Sequence, residues 1–107
     1  MNNFSNGEYA TYTNDSKGFN IFEVTRTSGK GSYYVENIKT GGKFWAGKDK
    51  LIKFWLQKEM VLKKENGSPS TVEKLWWEYV NEKYIVRFTD FTEDIPYSEA
   101  LNLEVVF

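Results

Sequence analysis

The chain contains no cysteine and no histidine, and it has only two prolines among its 107 residues. Without cysteine it cannot form a disulfide, a Cys-ligated zinc site or a thiol nucleophile. Without histidine it lacks the commonest general base and the commonest metal ligand, so a Ser-His-Asp triad is excluded. No apolar run approaches the roughly 18 residues of a membrane-spanning helix. The sequence therefore predicts that the chain does not act in a membrane.

The first residues, MNNFSNGEYATY, show neither a charged segment nor an apolar segment of the kind found in signal peptides. The absence of thiols fits a reducing compartment. We therefore expect a cytoplasmic protein.

Aromatic residues are abundant, because four Trp, seven Tyr and eight Phe make up 18% of the chain. A chain of this length buries roughly two thirds of its unfolded surface, and a few aromatic rings are enough for a small core. The composition predicts a single domain over residues 1–107. Aromatic rings that the core does not need are typical anchors for binding partners.

The net charge of −1 hides an uneven distribution along the chain. Residues 39–64 contain eight lysines and two acids, whereas residues 65–107 contain three basic and nine acidic side chains. Oppositely charged segments can pair within one molecule or present two opposed faces. Pairing within the molecule is the simpler interpretation.

The first half of the chain has the pattern of antiparallel β-structure. Strand-like runs begin near residues 8, 19, 32 and 43, and turn-forming residues separate them. Phe22 and Val24 alternate with polar neighbours, as expected for a strand with one buried face. Gly41-Gly42 between two aromatic runs predicts a tight hairpin turn with a positive φ angle.

The second half is more ambiguous. Residues 49–64 fit a poor amphipathic helix or alternating strands equally well. Ser70 followed by Glu73 has the form of a capping box, and it favours a short helix over residues 71–80. The rival interpretation pairs residues 75–80 with residues 84–89 in a hairpin. Residues 84–88 form a strand in either case, and alternation at residues 101–107 predicts a C-terminal strand that uses Phe107.

These elements predict an α+β domain that is mostly antiparallel β, with one or two short helices. Short strands separated by Gly-containing turns are similar, in a general way, to small SH3-like or Tudor-like barrels. The resemblance implies a partial barrel or a meander, and no family motif accompanies it.

Neither catalysis nor metal binding is predicted. Asp90, Glu93 and Asp94 lie in a polar, turn-like stretch and lack the spacing of a calcium-binding loop. The glycine-rich segments also lack the spacing of a phosphate-binding loop. We expect no catalytic residue, no metal and no cofactor.

The lysine-rich stretch suggests one binding hypothesis. A basic groove with aromatic faces is typical of proteins that bind single-stranded nucleic acid. The residues of this hypothesis are Lys43, Phe44, Trp45, Lys48, Lys50, Lys53 and Trp55. Lysine carries charge but reads bases poorly, so such binding would be weakly selective. We keep nucleic-acid binding as the alternative.

Protein binding is the favoured hypothesis. Trp76 and Trp77 are adjacent, so a helix would direct at least one of them away from a single core, and Trp77 and Tyr79 would anchor a partner. Asp90, Glu93 and Asp94 would add an acidic surface. The sequence thus predicts a small non-enzymatic regulatory protein, of a size that suits a phage or bacterial regulator, and it leaves the oligomeric state open.

Overall fold

The computed structural model describes residues 3–15, 20–90 and 93–106. It divides the chain into two compact units, Met1–Leu56 and Gln57–Phe107, and each unit contains one five-stranded sheet. All strand pairs are antiparallel, so the mostly antiparallel β class is confirmed. Within the described ranges, no helix is long and apolar enough to cross a membrane. The expectation of a single domain stays a prediction.

The N-terminal unit is a meander whose last strand returns to the first. Its strands are β1 (Tyr9–Tyr12), β2 (Phe22–Thr27), β3 (Ser32–Asn37), β4 (Lys43–Gly47) and β5 (Leu51–Lys53). They lie in the order β4-β3-β2-β1-β5. A one-turn 3₁₀ helix, Lys48–Lys50, joins β4 to β5. The four predicted strands of the first half are therefore present, and the strand interpretation holds for Leu51–Lys53.

Every second side chain of the central strands points into the core of this unit. Phe22 and Val24 are buried on β2, and Tyr33 and Val35 are buried on β3. Val24 lies directly opposite Val35 across the two strands. Burying each of these side chains stabilises the fold by roughly 1.5–3 kcal/mol.

The turn between β3 and β4 depends on a glycine with a left-handed backbone. Gly41 has a φ angle of 77° and donates its N–H to the carbonyl oxygen of Asn37 at 2.7 Å. The side chain of Asn37 accepts hydrogen bonds from the N–H groups of Lys39 and Thr40. The predicted positive φ in the Gly41-Gly42 segment is therefore confirmed at Gly41.

The C-terminal unit contains five strands and a short helix. These are β6 (Val61–Lys63), β7 (Pro69–Glu78), β8 (Lys83–Phe88), β9 (Ile95–Pro96), α1 (Tyr97–Ala100) and β10 (Glu104–Val106), with strand order β10-β6-β7-β8-β9. The buried side chains on one face of this sheet include Leu62, Val72, Leu75, Val86 and Phe88. A C-terminal strand is present, although it is shorter than predicted. Phe107, and residues 16–19 of the first predicted turn and second strand, lie outside the described residues.

The predicted helix over residues 71–80 is wrong, because residues 71–78 belong to β7, which forms a hairpin with β8, and residues 79–80 lie in the turn. The register shifts between Val72 and Lys74, which marks a β-bulge. A bulge adds one residue to one strand, so the buried positions Val72 and Leu75 are three residues apart instead of two. That spacing imitates a helical turn, and Ser70 is a strand residue opposite Leu62 and not a helix cap.

We predict that Gly41→Ala destabilises the protein by about 1 kcal/mol, because an L side chain is disfavoured at positive φ. No heavy atom lies within 4 Å of the Cβ position at Gly41, so the cost is conformational and not steric. Gly41→Asn is the matched control, since asparagine tolerates this backbone better. Urea unfolding of the two variants checks this, and equal losses of stability would contradict it.

Candidate functional site

Three side chains form a row across the exposed face of strands β2, β3 and β4. Arg26 on β2 lies opposite Tyr34 on β3, and Tyr34 lies opposite Trp45 on β4. Directly opposite residues in an antiparallel sheet share a face, and here that face is opposite to the one that buries Val24 and Val35. We refer to Arg26, Tyr34 and Trp45 as the cation–aromatic row.

The members of the row are in contact with one another. The guanidinium carbon of Arg26 lies 4.8 Å from the centre of the Tyr34 ring, which is within cation–π range. The centres of the Tyr34 and Trp45 rings are 5.1 Å apart, at an interplanar angle of 47°. Trp45 is 50% exposed and Arg26 is exposed as well. The row is therefore a pre-arranged surface, since each side chain supports its neighbour.

A β-bulge places Arg26 in this row. Arg26 is two residues after Val24, so regular alternation would direct it towards the core. The register shifts between Val24 and Arg26, and Thr25 is the extra residue. The hydroxyl of Thr25 donates a hydrogen bond to the carbonyl oxygen of Tyr34 at 3.0 Å. The bulge thus moves the guanidinium to the solvent side.

The charges beside the row are balanced. Glu23 lies opposite Glu36, and Glu36 lies opposite Lys43, on the same face of the sheet. Lys43 Nζ is 3.6 Å from Glu36 Oε1. Together with Arg26, this face therefore carries two basic and two acidic groups.

The lysines and aromatics of the nucleic-acid hypothesis are distributed over several elements. Lys43, Phe44 and Trp45 belong to β4, which is one edge strand, whereas Lys53 belongs to β5, which is the other. Lys48 and Lys50 lie in the 3₁₀ helix, and Trp55 follows β5 and is 37% exposed.

Phe44 faces the core side of the sheet. It is 36% exposed and packs edge-on against Phe22, with ring centres 5.5 Å apart. Trp45 points to the opposite side, because adjacent residues of a strand alternate. The two rings therefore do not form one stacking platform.

Lys53 has an acidic partner. Its Nζ atom lies 3.0 Å from Glu8 Oε2, and the N–H of Ser5 donates to Glu8 Oε1 at 2.6 Å. Burial raises the pKa of Glu8, but the hydrogen bond from Ser5 and the Lys53 ammonium outweigh burial and hold the pKa below its ordinary value of 4.5. Glu8 therefore partly neutralises Lys53 at neutral pH.

Trp77 and Tyr79 lie at the turn end of the β7–β8 hairpin. Trp77 is half-buried and packs edge-to-face against Tyr84, with ring centres 4.9 Å apart. Tyr79 is 71% exposed and the next residue, Val80, is 90% exposed. The two exposed side chains make the hairpin tip a second apolar surface.

The acidic residues of the protein-binding hypothesis are at the other end of β8. Asp90 Oδ2 accepts a hydrogen bond from the Ser70 hydroxyl at 2.6 Å and lies 3.4 Å from Lys64 Nζ. Asp94 pairs with Arg87 at 3.3 Å, and Glu93 is exposed. The length of β8 separates these acids from Tyr79, so the predicted composite of Trp77, Tyr79 and the three acids is not brought together.

Sequence reasoning missed Arg26 and Tyr34 as members of a surface. The alternation of Tyr33 and Tyr34 was a usable signal, since it places one of the two tyrosines on the solvent side. No pattern in the sequence marked the bulge at Thr25. Within the described ranges, no three acidic side chains are grouped closely enough to hold a metal ion.

No model of a known protein family, no curated protein and no solved structure matches this chain. Conclusions about its function therefore depend on the residues and contacts described above.

We predict that Glu8→Gln lowers stability at pH 7 by about 0.5–1 kcal/mol, because the pair with Lys53 is lost. A carboxyl whose pKa is lowered by folding stabilises the fold above its unfolded pKa, and this contribution disappears as the pH falls through the folded pKa. The difference in free energy of unfolding between Glu8→Gln and the wild type should therefore become smaller as the pH is lowered below 4.5.

Urea unfolding across a pH series measures this difference. Lys50→Met is the control, since it removes an exposed lysine of the 3₁₀ helix and leaves Glu8 and Lys53 intact. A constant difference between Glu8→Gln and wild type at every pH would contradict the assigned role of Glu8.

Proposed function

We propose that this chain is a non-enzymatic interaction protein that binds another protein through exposed aromatic side chains. The observation that carries the proposal is the cation–aromatic row of Arg26, Tyr34 and Trp45 on the exposed face of strands β2, β3 and β4. Trp, Tyr and Arg are the residue types enriched among those that dominate protein–protein binding energy. Their mutual contacts reduce the entropy that would be lost when a partner immobilises them.

The balanced charge around the row favours a protein partner. A nucleic-acid surface usually presents an excess of lysine and arginine to the phosphate backbone. Here Glu23 and Glu36 share the face with Arg26 and Lys43, and Lys43 is paired with Glu36. A peptide with both polar and apolar side chains is compatible with such a face. Nucleic-acid binding through residues 39–58 remains the rival hypothesis, since exposed rings beside an arginine also stack on bases.

We also propose that the N-terminal unit is an SH3-like partial barrel. Three features support this assignment: a four-strand meander, a single 3₁₀ turn between β4 and β5, and the return of β5 to β1. This unit would act as the scaffold for the row. The absence of cysteine supports a cytoplasmic location for the protein.

The absence of histidine and cysteine supports a non-enzymatic role, because it removes the usual general base and the usual thiol nucleophile. The acids Asp90 and Asp94 engage Lys64, Ser70 and Arg87 within the C-terminal unit. These pairs stabilise that unit locally and reduce the acidic surface available to a basic partner.

A peptide selection tests the proposed binding surface. Random linear peptides displayed on phage are selected against the full chain, and the affinity of the strongest peptide is then measured for single variants. We predict that Trp45→Ala weakens binding by about 2 kcal/mol, or roughly thirtyfold, because Trp45 is the most exposed ring of the row. Tyr79→Ala is the matched control, since Tyr79 is an exposed aromatic residue in the other unit.

The result that would overturn this assignment is loss of affinity in Tyr79→Ala with no change in Trp45→Ala. Labelled single-stranded and duplex DNA and RNA, titrated over about 50–300 mM salt, test the rival hypothesis. Strongly salt-dependent binding that disappears when Lys43, Lys48, Lys50 and Lys53 are changed to Glu would replace the protein-binding proposal, provided that the variant stays folded.

A further inference from the structure

The four edge strands of the two sheets differ in how well they are protected from pairing with another chain. β5 and β10 have three residues each, and β9 has two residues, one of which is Pro96. β4 has five residues and contains no proline. Short length and proline are devices by which proteins prevent an edge from pairing with another chain. Among the described strands, β4 is therefore the longest edge without either protection.

The backbone groups that β4 presents at its open side follow from its pairing with β3. The N–H of Asn37 donates to the carbonyl oxygen of Gly42 at 2.8 Å, and the N–H of Lys48 donates to the carbonyl oxygen of Gly31 at 2.9 Å. Hydrogen-bonded and non-hydrogen-bonded pairs alternate along an antiparallel ladder. The intervening residues Lys43, Trp45 and Gly47 therefore direct their N–H and C=O groups away from β3, towards solvent.

We propose that β4 is a dimerisation strand, which pairs in antiparallel orientation with β4 of a second copy of this chain and has Trp45 opposite Trp45 of that copy. In this register Lys43 of each strand lies opposite Gly47 of the other. The three residues of each strand whose N–H and C=O groups point away from β3 then exchange hydrogen bonds with the other strand. The interface is isologous, as a two-fold axis requires. The two N-terminal sheets become one continuous sheet.

Other registers use the edge less completely. A shift of one residue would put Phe44, which faces the core side, opposite Trp45, which faces the solvent side. The core side of one sheet would then continue into the solvent side of the other. A shift of two residues would leave either Lys43 or Gly47 outside the paired region. The Trp45-centred register also places the cation of Lys43 opposite a residue without a side chain, so like charges do not meet.

The dimer would join the two cation–aromatic rows. Trp45 ends the row of one copy at the sheet edge, and the row of the second copy would begin there. Arg26, Tyr34 and Trp45 of each copy would then lie along one line across six strands. The proposed dimer follows from the unpaired edge of β4 alone, and it does not depend on the proposed protein-binding function.

Gly47 provides a variant that blocks the edge with little change to the monomer. Its φ angle is −69°, which proline adopts, and its N–H points away from β3. A Cβ atom at this position would lie 2.8 Å from Asp49 Oδ1, at the end of a flexible side chain that can move. Gly47→Ala is the matched control, because it introduces the same Cβ atom and keeps the N–H group.

Sedimentation equilibrium of the full chain over a concentration series measures the dimer. We expect the wild type and Gly47→Ala to dimerise with dissociation constants within about threefold of each other. Gly47→Pro should raise the dissociation constant by about a hundredfold or more, because each strand loses a hydrogen bond and the ring obstructs the approach of the partner strand. Circular dichroism checks that both variants fold.

A charge exchange at residue 45 tests the register. Trp45→Lys and Trp45→Glu should each be monomeric alone, since like charges would be directly opposite, and an equimolar mixture should form a heterodimer. A wild-type chain that stays monomeric at every concentration would overturn the proposal, and so would a dimer that survives Gly47→Pro. Failure of the mixture to associate would overturn the Trp45-centred register.

Discussion

The pairing of β3 with its two neighbours governs both the interior and the surface of the N-terminal unit. Val35 lies opposite Val24 on one side and opposite Phe44 on the other, so the buried face is set by direct cross-strand contact. Because side chains alternate with a period of two, the same register necessarily exposes Tyr34 on the opposite face. A slip of one residue would bury the polar face and expose the core. The hydrophobic contacts of Val35 therefore also determine that Tyr34 and Trp45 lie on the exposed face.

Two β-bulges modify this rule, and each changes what the sheet presents. The bulge at Thr25 moves Arg26 from the core side to the solvent side, where its guanidinium lies over Tyr34. The bulge between Val72 and Lys74 lets Leu75 return to the buried face of β7. In both strands one inserted residue changes the direction of every later side chain.

Ion pairs form within each unit. Lys53 is paired with Glu8, and Lys43 with Glu36, although the lysine-rich stretch contains few acids of its own. In the C-terminal unit, Lys64 is paired with Asp90 and Arg87 with Asp94. These pairs join residues 7 to 45 positions apart in sequence, and each of the three paired lysines lies beside an acid from outside the lysine-rich stretch.

The sequence by itself determined the β-rich class, the strands of the first half and the buried face at Phe22 and Val24, because alternation and turn chemistry are local. It also determined the left-handed turn before β4, because glycine is the residue that adopts positive φ most readily. Only the tertiary structure decided that residues 71–78 are part of a strand, since a bulge and a helical turn give the same three-residue spacing. The tertiary structure also decided that Arg26 joins Tyr34 and Trp45, and that Tyr79 is remote from Asp90. Such neighbourhoods depend on the register between strands, which is fixed by long-range pairing and not by the residues of any one strand.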